Sequence, residues 1–371
     1  MRILHIISDS NIGGAGRHLL TLFEACNWEN FKMEVVLPMG SQLIPLLKDV
    51  NYYELPHINE KSFSLKGLIE ITKLIQELGP DIVHTHASFA GRIAGRLSGC
   101  HVVYTRHSVF EPSEKSTKFP LKQLIGSANN FFSDGIIAVS PAAKEILLKT
   151  GVRESKIKVI YNGVAPTKIF PLEERAKTRQ KYNIPFQSPF VISQIARLED
   201  VKGHNYTLDA AKIWANRHPD IFVIIAGTGP MQPILEKRIK NENINNVLLA
   251  GFVKDIDKLL NITNVQINAS YGTEATSLSL LEGMSLGIPA VVSDFGGNPF
   301  VITHKKTGLI FPQKDAKALA DTVTMLKNDE NLTQEIVQNA QLEYKERFRD
   351  DLMAREIESV YKNVKGRRFI L

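Results

Sequence analysis

Cysteine is scarce in this chain, and long apolar runs are missing from it. The 371 residues include two cysteines, Cys26 and Cys100, too few for a disulfide framework and without the paired spacing of zinc sites. No apolar run reaches the roughly 18 residues of a membrane-spanning helix. The apolar start at Met1–Ser8 is too short for a signal peptide and predicts a buried first strand. These absences indicate a cytoplasmic, bacterial-type protein.

Signatures of several common enzyme classes are also missing. The chain has no nucleophile elbow, no phosphate loop ending in Gly-Lys-Ser/Thr and no cysteine-based site. The Gly-rich loop Asn11–His18 fails the dinucleotide spacing, and no acid ends the second apolar run, Val35–Pro38, which disfavours a dehydrogenase. Asp255-Ile256-Asp257 resembles a metal-binding Asp-x-Asp motif, but helix capping explains it better. We therefore expect neither a cofactor nor a metal.

What the sequence does contain is a repeated alternation of short apolar runs with helical patterns. The length predicts two domains, and the alternation predicts an α/β fold with two Rossmann-like parallel sheets. We predict an N-terminal domain over residues 1–165, a C-terminal domain over 166–348, and a last helix with a basic tail, 349–371, that packs back toward the first domain. Such sheets bind ligands at the carboxyl ends of their strands, so we expect a cleft between the domains.

Short apolar runs are predicted as strands, and longer segments with one apolar face as helices. The predicted strands are Ile3–Ser8, Glu34–Leu37, Ile82–Thr85, Val102–Thr105, Gly135–Val139, Lys158–Tyr161, Phe190–Ile195, Phe222–Ala226, Val247–Ala250, Val265–Asn268, Ala290–Ser293 and Gly308–Phe311. The predicted helices include Leu65–Leu78, Pro141–Thr150, Asn205–Arg217, Leu278–Leu286, Ala316–Lys327 and Asp350–Val364. A turn is predicted at Asn162-Gly163, before a polar junction over 165–187.

Two glutamates that flank a predicted helix start are the most informative residues of the chain. Glu274 lies in the loop between a strand and a helix, and Glu282 lies inside that helix. The backbone amides that open the helix belong to Thr276, Ser277 and Leu278. Such a helix end attracts anions. The order carboxylate, anion site, carboxylate suits a nucleotide sugar, in which hexose hydroxyls, diphosphate and ribose hydroxyls follow one another.

Two cations stand at the start of the second domain. Arg197 follows an apolar strand, and Lys202 comes five residues later at a helix start. Facing one ligand, they can neutralise a diphosphate, where negative charge grows as a nucleotide leaves. Such a pair is more often part of a solvated loop. Its separation in sequence from Glu274 is no objection, because strand ends converge at one edge of a sheet.

Histidines gather at predicted strand ends. His84 and His86 share one face of their strand, since strand residues alternate between faces, and His107 follows the end of the next strand. A zinc site would need a third ligand, and neither a cysteine nor an acid stands at ligand spacing. Each of these residues is more often a structural histidine, and His107 is the best candidate for contact with substrate.

Positive charge is unevenly distributed along the chain. The net charge is +6, and residues 84–158 carry eleven Lys/Arg against five Asp/Glu. The tail Lys365–Leu371 adds three basic residues beside apolar ones. A solvated surface explains this pattern as well as contact with anionic lipid headgroups or a pyrophosphate-linked acceptor does. Nucleic acid is not expected, because no binding motif accompanies the charge.

Motifs that follow one another along almost the whole chain form a specific ordered set. They are Gly13-Gly14, the His-x-His of His84 and His86, Thr105-Arg106-His107, Asn162-Gly163-Val164, Arg197 with Lys202-Gly203, Gly227-x-Gly229, Gly251-Phe252, Glu274 with Glu282, Ser293-Asp294-x-Gly296-Gly297-Asn298-Pro299 and Gly308-Leu309. No single motif is decisive. Together they resemble the retaining GT-B glycosyltransferases of glycosyltransferase family 4.

The resemblance implies donor-side roles for four positions. Glu274 would hold hydroxyls of the donor sugar, and Glu282 would grip the ribose of the nucleotide. Arg197 and Lys202 would stabilise the departing diphosphate. The reaction would be metal-independent and would retain the anomeric configuration. The acceptor hydroxyl would attack on the face that the nucleotide leaves, and the nucleotide's own phosphate would help to take the proton.

The resemblance also implies roles for the first domain. The loop at Gly14 would close on the donor phosphates, and His107 would lie near the donor sugar and the reacting centre. His86 and Arg17 are assigned to the acceptor side. Two positions depart from the family pattern: Gly16 stands where the family often has glutamate, and Phe300 where it usually has an anchoring glutamate.

These expectations combine into one predicted function. We predict transfer of a hexose or N-acetylhexosamine from a nucleotide sugar, with UDP as the expected nucleotide, to a lipid-linked or polysaccharide acceptor in the synthesis of surface glycans such as lipopolysaccharide or capsule. The basic segments would allow peripheral attachment to the inner face of the membrane. The alternatives are a nucleotide-sugar epimerase, a transferase with a small soluble acceptor, and a binding module without turnover.

Overall fold

A computed structural model of the chain describes residues 1–59, 63–187 and 189–366. Over these ranges the chain divides into two compact units. The first is Met1–Gly163 together with the chain from Asp350 onward, and the second is Val164–Arg349. The last basic residues of the predicted tail, Arg367 and Arg368, lie outside the described residues.

The first unit is built on a parallel sheet whose first strand is central. Its strands are β1 (Arg2–Ile7), β2 (Lys32–Pro38), β3 (Asn51–Leu55), β4 (Ile82–His86), β5 (His101–Arg106), β6 (Gly135–Ala138) and β7 (Ile157–Val159). In the described part of this unit the strand order is β3-β2-β1-β4-β5-β6-β7, and every pairing is parallel. Successive strands are thus added toward one edge of the sheet from β1 to β3 and toward the other edge from β4 onward, so the order reverses between β1 and β4.

The second unit repeats this design with a smaller sheet. Its strands are β8 (Phe190–Ile195), β9 (Ile221–Ala226), β10 (Val247–Gly251), β11 (Val265–Asn268), β12 (Ala290–Ser293) and β13 (Leu309–Phe311). Over the described residues their order is β10-β9-β8-β11-β12-β13, again all parallel. Here the order reverses between β8 and β11.

Helices connect the parallel strands, as crossover connections require. In chain order they are α1 (Gly14–Ala25), α2 (Leu65–Leu78), α3 (Phe89–Leu97), α4 (Leu121–Phe131), α5 (Pro141–Lys149), α6 (Leu172–Lys181), α7 (His204–Arg217), α8 (Gln232–Asn241), α9 (Ile256–Leu260), α10 (Leu278–Leu286), α11 (Asn298–Val301), α12 (Ala316–Asn328), α13 (Glu330–Arg347) and α14 (Asp350–Lys365). The α/β fold class predicted from the alternation is thus confirmed.

The core of the first unit lies between its sheet, α1 and α14. Ile3 of β1, Leu22 of α1 and Ile357 of α14 belong to one cluster of buried apolar side chains. The helix predicted at Asp350–Val364 is present as α14, and its apolar residue Tyr361 is fully buried. The last helix is therefore part of the first unit's core.

The core of the second unit lies between its sheet, α7 and α12. Trp214 of α7 is fully buried, and its Nε1 donates a hydrogen bond to the carbonyl of Ala320 in α12 at 3.2 Å. Strands β9, β11 and β12 of this sheet are buried at every residue, which explains why they appear in the sequence as nearly continuous apolar runs. This packing fixes the strand ends that carry the candidate site.

Local predictions differ from the structure at three places. The sequence does not predict β3, because this edge strand exposes Tyr52 and has no continuous apolar run. The polar junction contains α6, a helix too polar to show an apolar face. The turn predicted at Asn162-Gly163 is wrong: the chain is not turned there, and Asn162 is buried with its side chain against His18.

Candidate active site

The candidate donor site lies where the strand order of the second sheet reverses. Ligands of open parallel sheets bind at such switch points, outside the carboxyl ends of the strands. The loop after β8 carries Arg197 and Lys202, and the loop after β11 carries Glu274. Because β8 and β11 are neighbours, these two loops lie side by side. The convergence predicted from strand ends is therefore present.

A buried ion pair joins the two loops. Lys202 Nζ lies 3.0 Å from Glu274 Oε2 and donates to the carbonyl of Thr273 at 2.7 Å. The same carboxylate oxygen accepts from Asn268 Nδ2 and Ser270 Oγ, each at 3.1 Å. The Lys202 and Glu274 side chains are 12% and 9% exposed. Oε2 is thus held by three donors, whereas Oε1 makes no hydrogen bond to the described residues.

Glycines hold the backbone of both loops in place. Gly203 has φ +72°, and a Cβ there would lie 2.0 Å from the carbonyl oxygen of Ala269. Gly297 donates its N–H to the carbonyl of Glu274 at 2.7 Å, and its Cβ would lie 1.7 Å from the carbonyl oxygen of Ala275. No side chain fits at either position without moving the neighbouring backbone. Close backbone contacts at Gly203 and Gly297 therefore hold the loop around Glu274 in place.

The helix predicted after Glu274 is confirmed as α10, and Ser277 occupies its N-cap. Leu278 is its first residue, and the Thr276 and Ser277 side chains are partly exposed. Because the first amides of a helix have no intrahelical partner, this end can bind an anion. Glu282, 9% exposed, lies one turn further along the helix.

Arg197 differs from Lys202 in its surroundings. Its side chain is 60% exposed and pairs with Glu199, with Nη1 3.1 Å from Oε1. Ala196, directly before Arg197, packs against the loop that contains Gly227. A Cβ on Gly227 would lie 1.9 Å from the carbonyl oxygen of Ala196. This close approach agrees with a structural role for Gly227. The two cations predicted to act together thus have different partners in the structure.

In the first unit, five histidines gather at the end of the sheet where the strand order reverses. They are His5 of β1, His18 of α1, His84 and His86 of β4, and His107 after β5. His86 links two of the others: its Nε2 lies 3.0 Å from His5 Nδ1, and its Nδ1 lies 2.9 Å from His107 Nε2. The rings of His18 and His107 also meet edge to face, with centroids 4.8 Å apart.

Polar neighbours bind the remaining two rings of this cluster. His84 lies with Nδ1 2.6 Å from the Tyr361 hydroxyl and Nε2 2.7 Å from Thr105 Oγ1. His18 Nδ1 lies 2.9 Å from Asn162 Oδ1. Asn162 therefore supports a histidine instead of forming the predicted turn.

Burial keeps these histidines neutral. It lowers the pKa of His5 to about 3 and that of His18 to about 4, because the charged ring loses its contact with water. The pKa values of His84, His86 and His107 are well below the ordinary value, first for the same reason and then because the other rings repel a second positive charge. At neutral pH the cluster therefore carries no charge.

Acid should destabilise the first unit through this cluster. An unfolded histidine takes up a proton near pH 6.5, whereas folded His18 does so near pH 4. Between these pH values the unfolded chain binds more protons than the folded chain. The free energy of unfolding therefore falls as the pH decreases through this window. His18 alone should account for about 3 kcal/mol. Urea unfolding from pH 7.5 to 4.5 measures this. His18→Gln should weaken the pH dependence, and substitution of the exposed His57 should not. A stability independent of pH would contradict the account.

The Gly-rich loop leads into α1, as predicted. Gly14 is the first residue of that helix, and a Cβ built on it would meet nothing within 4 Å, so the space beside it is open. A Cβ on Gly16 would lie 2.8 Å from Leu43 Cδ2, which gives a physical reason for glycine where the family often has glutamate. Arg17, partly buried, follows on the same helix.

Two family models together cover most of the chain. The model of glycosyltransferase family 4 matches residues 12–168, and that of glycosyl transferases group 1 matches residues 174–343. The UDP-Gal:alpha-D-GlcNAc-diphosphoundecaprenol alpha-1,3-galactosyltransferase of Escherichia coli is 30% identical over 348 residues, 90% of this chain and 89% of that protein. The chain is a family 4 glycosyltransferase.

Further comparisons agree with this assignment. The glycosyltransferase is 24% identical to the capsular polysaccharide biosynthesis glycosyltransferase CapM of Staphylococcus aureus, over 86% of this chain and 84% of CapM. The crystal structure of Anabaena Alr3699/HepE in complex with UDP and glucose matches with a TM-score of 0.85 at 22% identity, covering 98% of this chain and 99% of HepE. The predicted GT-B fold is thereby confirmed.

Sequence patterns miss several residues of the glycosyltransferase's candidate site. Asn268 and Ser270 donate hydrogen bonds to Glu274, and their spacing in the sequence does not predict these contacts. His5 and His18 add ring nitrogens beside those of His84 and His86. The sequence pattern does not reveal this, because the two residues lie far from His84 and His86 along the chain. Asp255 does precede a helix, α9, as predicted, yet its side chain makes no capping hydrogen bond.

Proposed function

We propose that the glycosyltransferase moves a hexosyl or N-acetylhexosaminyl group from a UDP-sugar to a lipid-linked or polysaccharide acceptor, with retention and without a metal on the donor. The observation that carries the proposal is the buried Lys202–Glu274 pair at the switch point, beside the N-terminus of α10. This layout offers a carboxylate that can bind sugar hydroxyls, a cation and an anion-binding helix end within one pair of loops.

The positions of the side chains support the proposed donor-binding roles. Glu274 Oε1, which makes no hydrogen bond to the described residues, is placed to accept from sugar hydroxyls while Oε2 stays with its three donors. The amides at Thr276, Ser277 and Leu278 would bind the diphosphate. Glu282, one turn into α10, would accept from the ribose hydroxyls. UDP as the nucleotide is supported by the named donor of the Escherichia coli relative and by the UDP bound to HepE.

Leaving-group stabilisation is assigned to Lys202 and Arg197. Negative charge accumulates on the diphosphate as the glycosidic bond breaks, and two cations beside a helix N-terminus can offset it in the manner of a divalent ion. Lys202 is already ordered by Glu274 and Thr273, so little reorganisation is needed. Arg197, which is largely exposed, would have to leave Glu199.

The remaining roles are assigned by the family resemblance. His107 would lie near the reacting centre, Gly14 near the donor phosphates, and His86 and Arg17 on the acceptor side. A lipid-linked acceptor is supported by the diphosphoundecaprenol named for the Escherichia coli relative. At neutral pH an uncharged His107 can exchange hydrogen bonds with sugar hydroxyls without carrying a charge into the site.

Removal of the Glu282 carboxylate tests the donor arrangement. Glu282→Ala should weaken UDP binding by about 10- to 100-fold, because a hydrogen bond to a charged group contributes roughly 1.5–3 kcal/mol. Isothermal titration with UDP measures this. Glu242→Ala, at the end of α8, removes a different carboxylate of the same unit and should leave the affinity unchanged. If Glu282→Ala binds UDP with unaltered affinity, Glu282 does not bind the ribose, and that role is withdrawn.

An exposed apolar surface on the first unit supports attachment to a membrane. Its apolar residues, each between 40% and 80% exposed, are Phe110, Phe119, Leu121, Leu124 and Phe131. Lys115, Lys118 and Lys122 lie in the same segment, in which α4 packs on the short helix Glu114–Thr117. Apolar side chains beside lysines fit the interface of an anionic bilayer. Among the described residues, no helix has both the length and the hydropathy to cross a bilayer.

Polar substitutions on this surface should reduce membrane binding. The double variant Phe119→Ser/Leu124→Ser should bind phosphatidylglycerol vesicles at least about tenfold more weakly in flotation, since it removes two apolar groups from the interface. Wild-type binding should also weaken with salt. Leu172→Ser/Phe252→Ser alters similarly exposed residues of the second unit and should bind normally. No binding by the wild type, or equal binding by both double variants, would refute the attachment surface.

A further inference from the structure

Three imidazoles of the histidine cluster converge in a way that the proposed sugar chemistry does not use. One ring nitrogen from each of His18, His86 and His107 lies within 4.8 Å of the other two. His18 and His86 are each 1% exposed, and His107 is partly exposed at the carboxyl edge of the sheet. The ring nitrogens of the group are therefore enclosed by protein, although the His107 residue as a whole is partly exposed.

Hydrogen bonds leave ring nitrogens of this group without a protein partner. His18 Nδ1 donates to Asn162 Oδ1, so Nε2 carries a lone pair, and this buried Nε2 makes no hydrogen bond to any described residue. His107 uses Nε2 toward His86, and its buried Nδ1 likewise has no partner within the described ranges. Burying such polar atoms without a partner is costly, which points to a ligand that would satisfy them.

The chemistry of the group selects among ligands. Metal-bound histidines usually donate their second ring N–H to an oxygen acceptor, and His18 Nδ1 donates to such an oxygen, Asn162 Oδ1. Three neutral nitrogen ligands suit borderline cations such as Zn²⁺, Co²⁺ or Ni²⁺ and not Mg²⁺ or Ca²⁺, which prefer oxygen.

We propose that His18, His86 and His107 bind one borderline transition-metal ion and that this ion inhibits the enzyme. Nitrogen ligands of tetrahedral zinc lie about 3.3 Å apart, so the three nitrogens, now within 4.8 Å of one another, would draw together around the ion. His86, whose two ring nitrogens contact His5 and His107, would exchange one of these contacts for the ion. The inhibitory part rests on the proposed function, because it depends on His107 and His86 contacting substrates. The binding part does not.

Metal binding can be measured independently of activity. Metal-free protein titrated with Co²⁺ should develop the intense visible absorption of a tetrahedral site at one equivalent, and Zn²⁺ should bleach it. His18→Gln and His107→Gln should each weaken Zn²⁺ affinity by at least about 100-fold. His304→Gln, which alters a histidine of the second unit outside this group, should bind as the wild type does. Far-ultraviolet circular dichroism and melting curves would verify that each variant is folded.

The possible results separate the proposals. Absence of the Co²⁺ spectrum in the wild type, or full Zn²⁺ affinity in folded His18→Gln, would overturn the metal site. Loss of affinity in His84→Gln with none in His18→Gln would also overturn it, by moving the ion to His5, His84 and His86, which form a second convergent group. Metal binding without inhibition would retain the site and contradict the role of His107 in transfer.

Discussion

Lys202→Ala should lower kcat for sugar transfer by about 10²–10³-fold, with a much smaller change in the KM for the donor. The ammonium is held beside Glu274 and the carbonyl of Thr273, where it meets charge that grows on the diphosphate only as the glycosidic bond breaks. Removing one such preorganised charge typically costs about 3–4 kcal/mol of transition-state stabilisation. Initial rates at saturating UDP-sugar measure the effect directly.

Two further variants control this experiment. Lys212→Ala removes a lysine that pairs with Glu242 at 2.9 Å on the surface of the same unit, and it should transfer sugar normally. Arg197→Ala should also slow transfer, but less than Lys202→Ala, because Arg197 is 60% exposed and paired with Glu199. If Lys202→Ala and Arg197→Ala both keep kcat within about threefold of the wild type, the leaving-group assignment is wrong.

Glu274→Gln should reduce transfer by about 100-fold while retaining the shape of the side chain. The carboxylate is proposed to bind sugar hydroxyls through Oε1, and hydrogen bonds to a charged acceptor contribute roughly 1.5–3 kcal/mol. The change also leaves Lys202, 12% exposed, without its counter-charge, and should lower the free energy of unfolding by about 1–3 kcal/mol. Transfer rates and urea unfolding measured on the same preparation separate the two effects.

Glu242→Gln is the matched control for this variant. Glu242 pairs with Arg238 and Lys212 at the surface, and these partners lower its pKa to about 2. Its substitution should leave transfer unchanged, since it is remote from the strand ends of the site. If Glu274→Gln loses stability but transfers sugar at the normal rate, Glu274 is only a structural partner of Lys202, and the sugar-binding role must be withdrawn.

Much of the fold could be predicted because parallel strands buried on both faces leave a strong sequence pattern. The runs at Phe190–Ile195 and Val265–Asn268 were predicted with the bounds that the structure has, and α10 ends at Gly287 with φ +76°, as its glycine indicates. Where burial is weak the pattern fails. β3 lies at a sheet edge with three of its five residues exposed, and α6 shows no apolar face.

Sequence patterns single out the residues proposed for the site but do not indicate their contacts. Local patterns point to Glu274 and Lys202, which lie in loops after strands, and to Glu282, which lies one turn inside the following helix. They assign Glu274 and Lys202 to different parts of the donor, whereas the structure joins them in one ion pair. Such a contact depends on which strands are neighbours, and sheet order is not encoded by the spacing of any one motif.

The histidine cluster shows the same limit. The sequence alone argues against a zinc site, because it shows no third ligand at a suitable spacing from His84 and His86. The fold brings His5 from β1 and His18 from α1 to the same place, across roughly 80 and 70 residues of chain. Their convergence follows from β1 and β4 being neighbours, which only the sheet topology reveals.

The central claim is retaining transfer from a UDP-sugar by the site at Lys202 and Glu274. The most direct test incubates the enzyme with a panel of labelled UDP-sugars and a diphosphoundecaprenol-linked sugar acceptor, and determines the anomeric configuration of the product by NMR. The account predicts an α-linked product from an α-linked donor, formed only when acceptor is present. A β-linked product, an altered donor sugar without acceptor, or no transfer from any donor would contradict it.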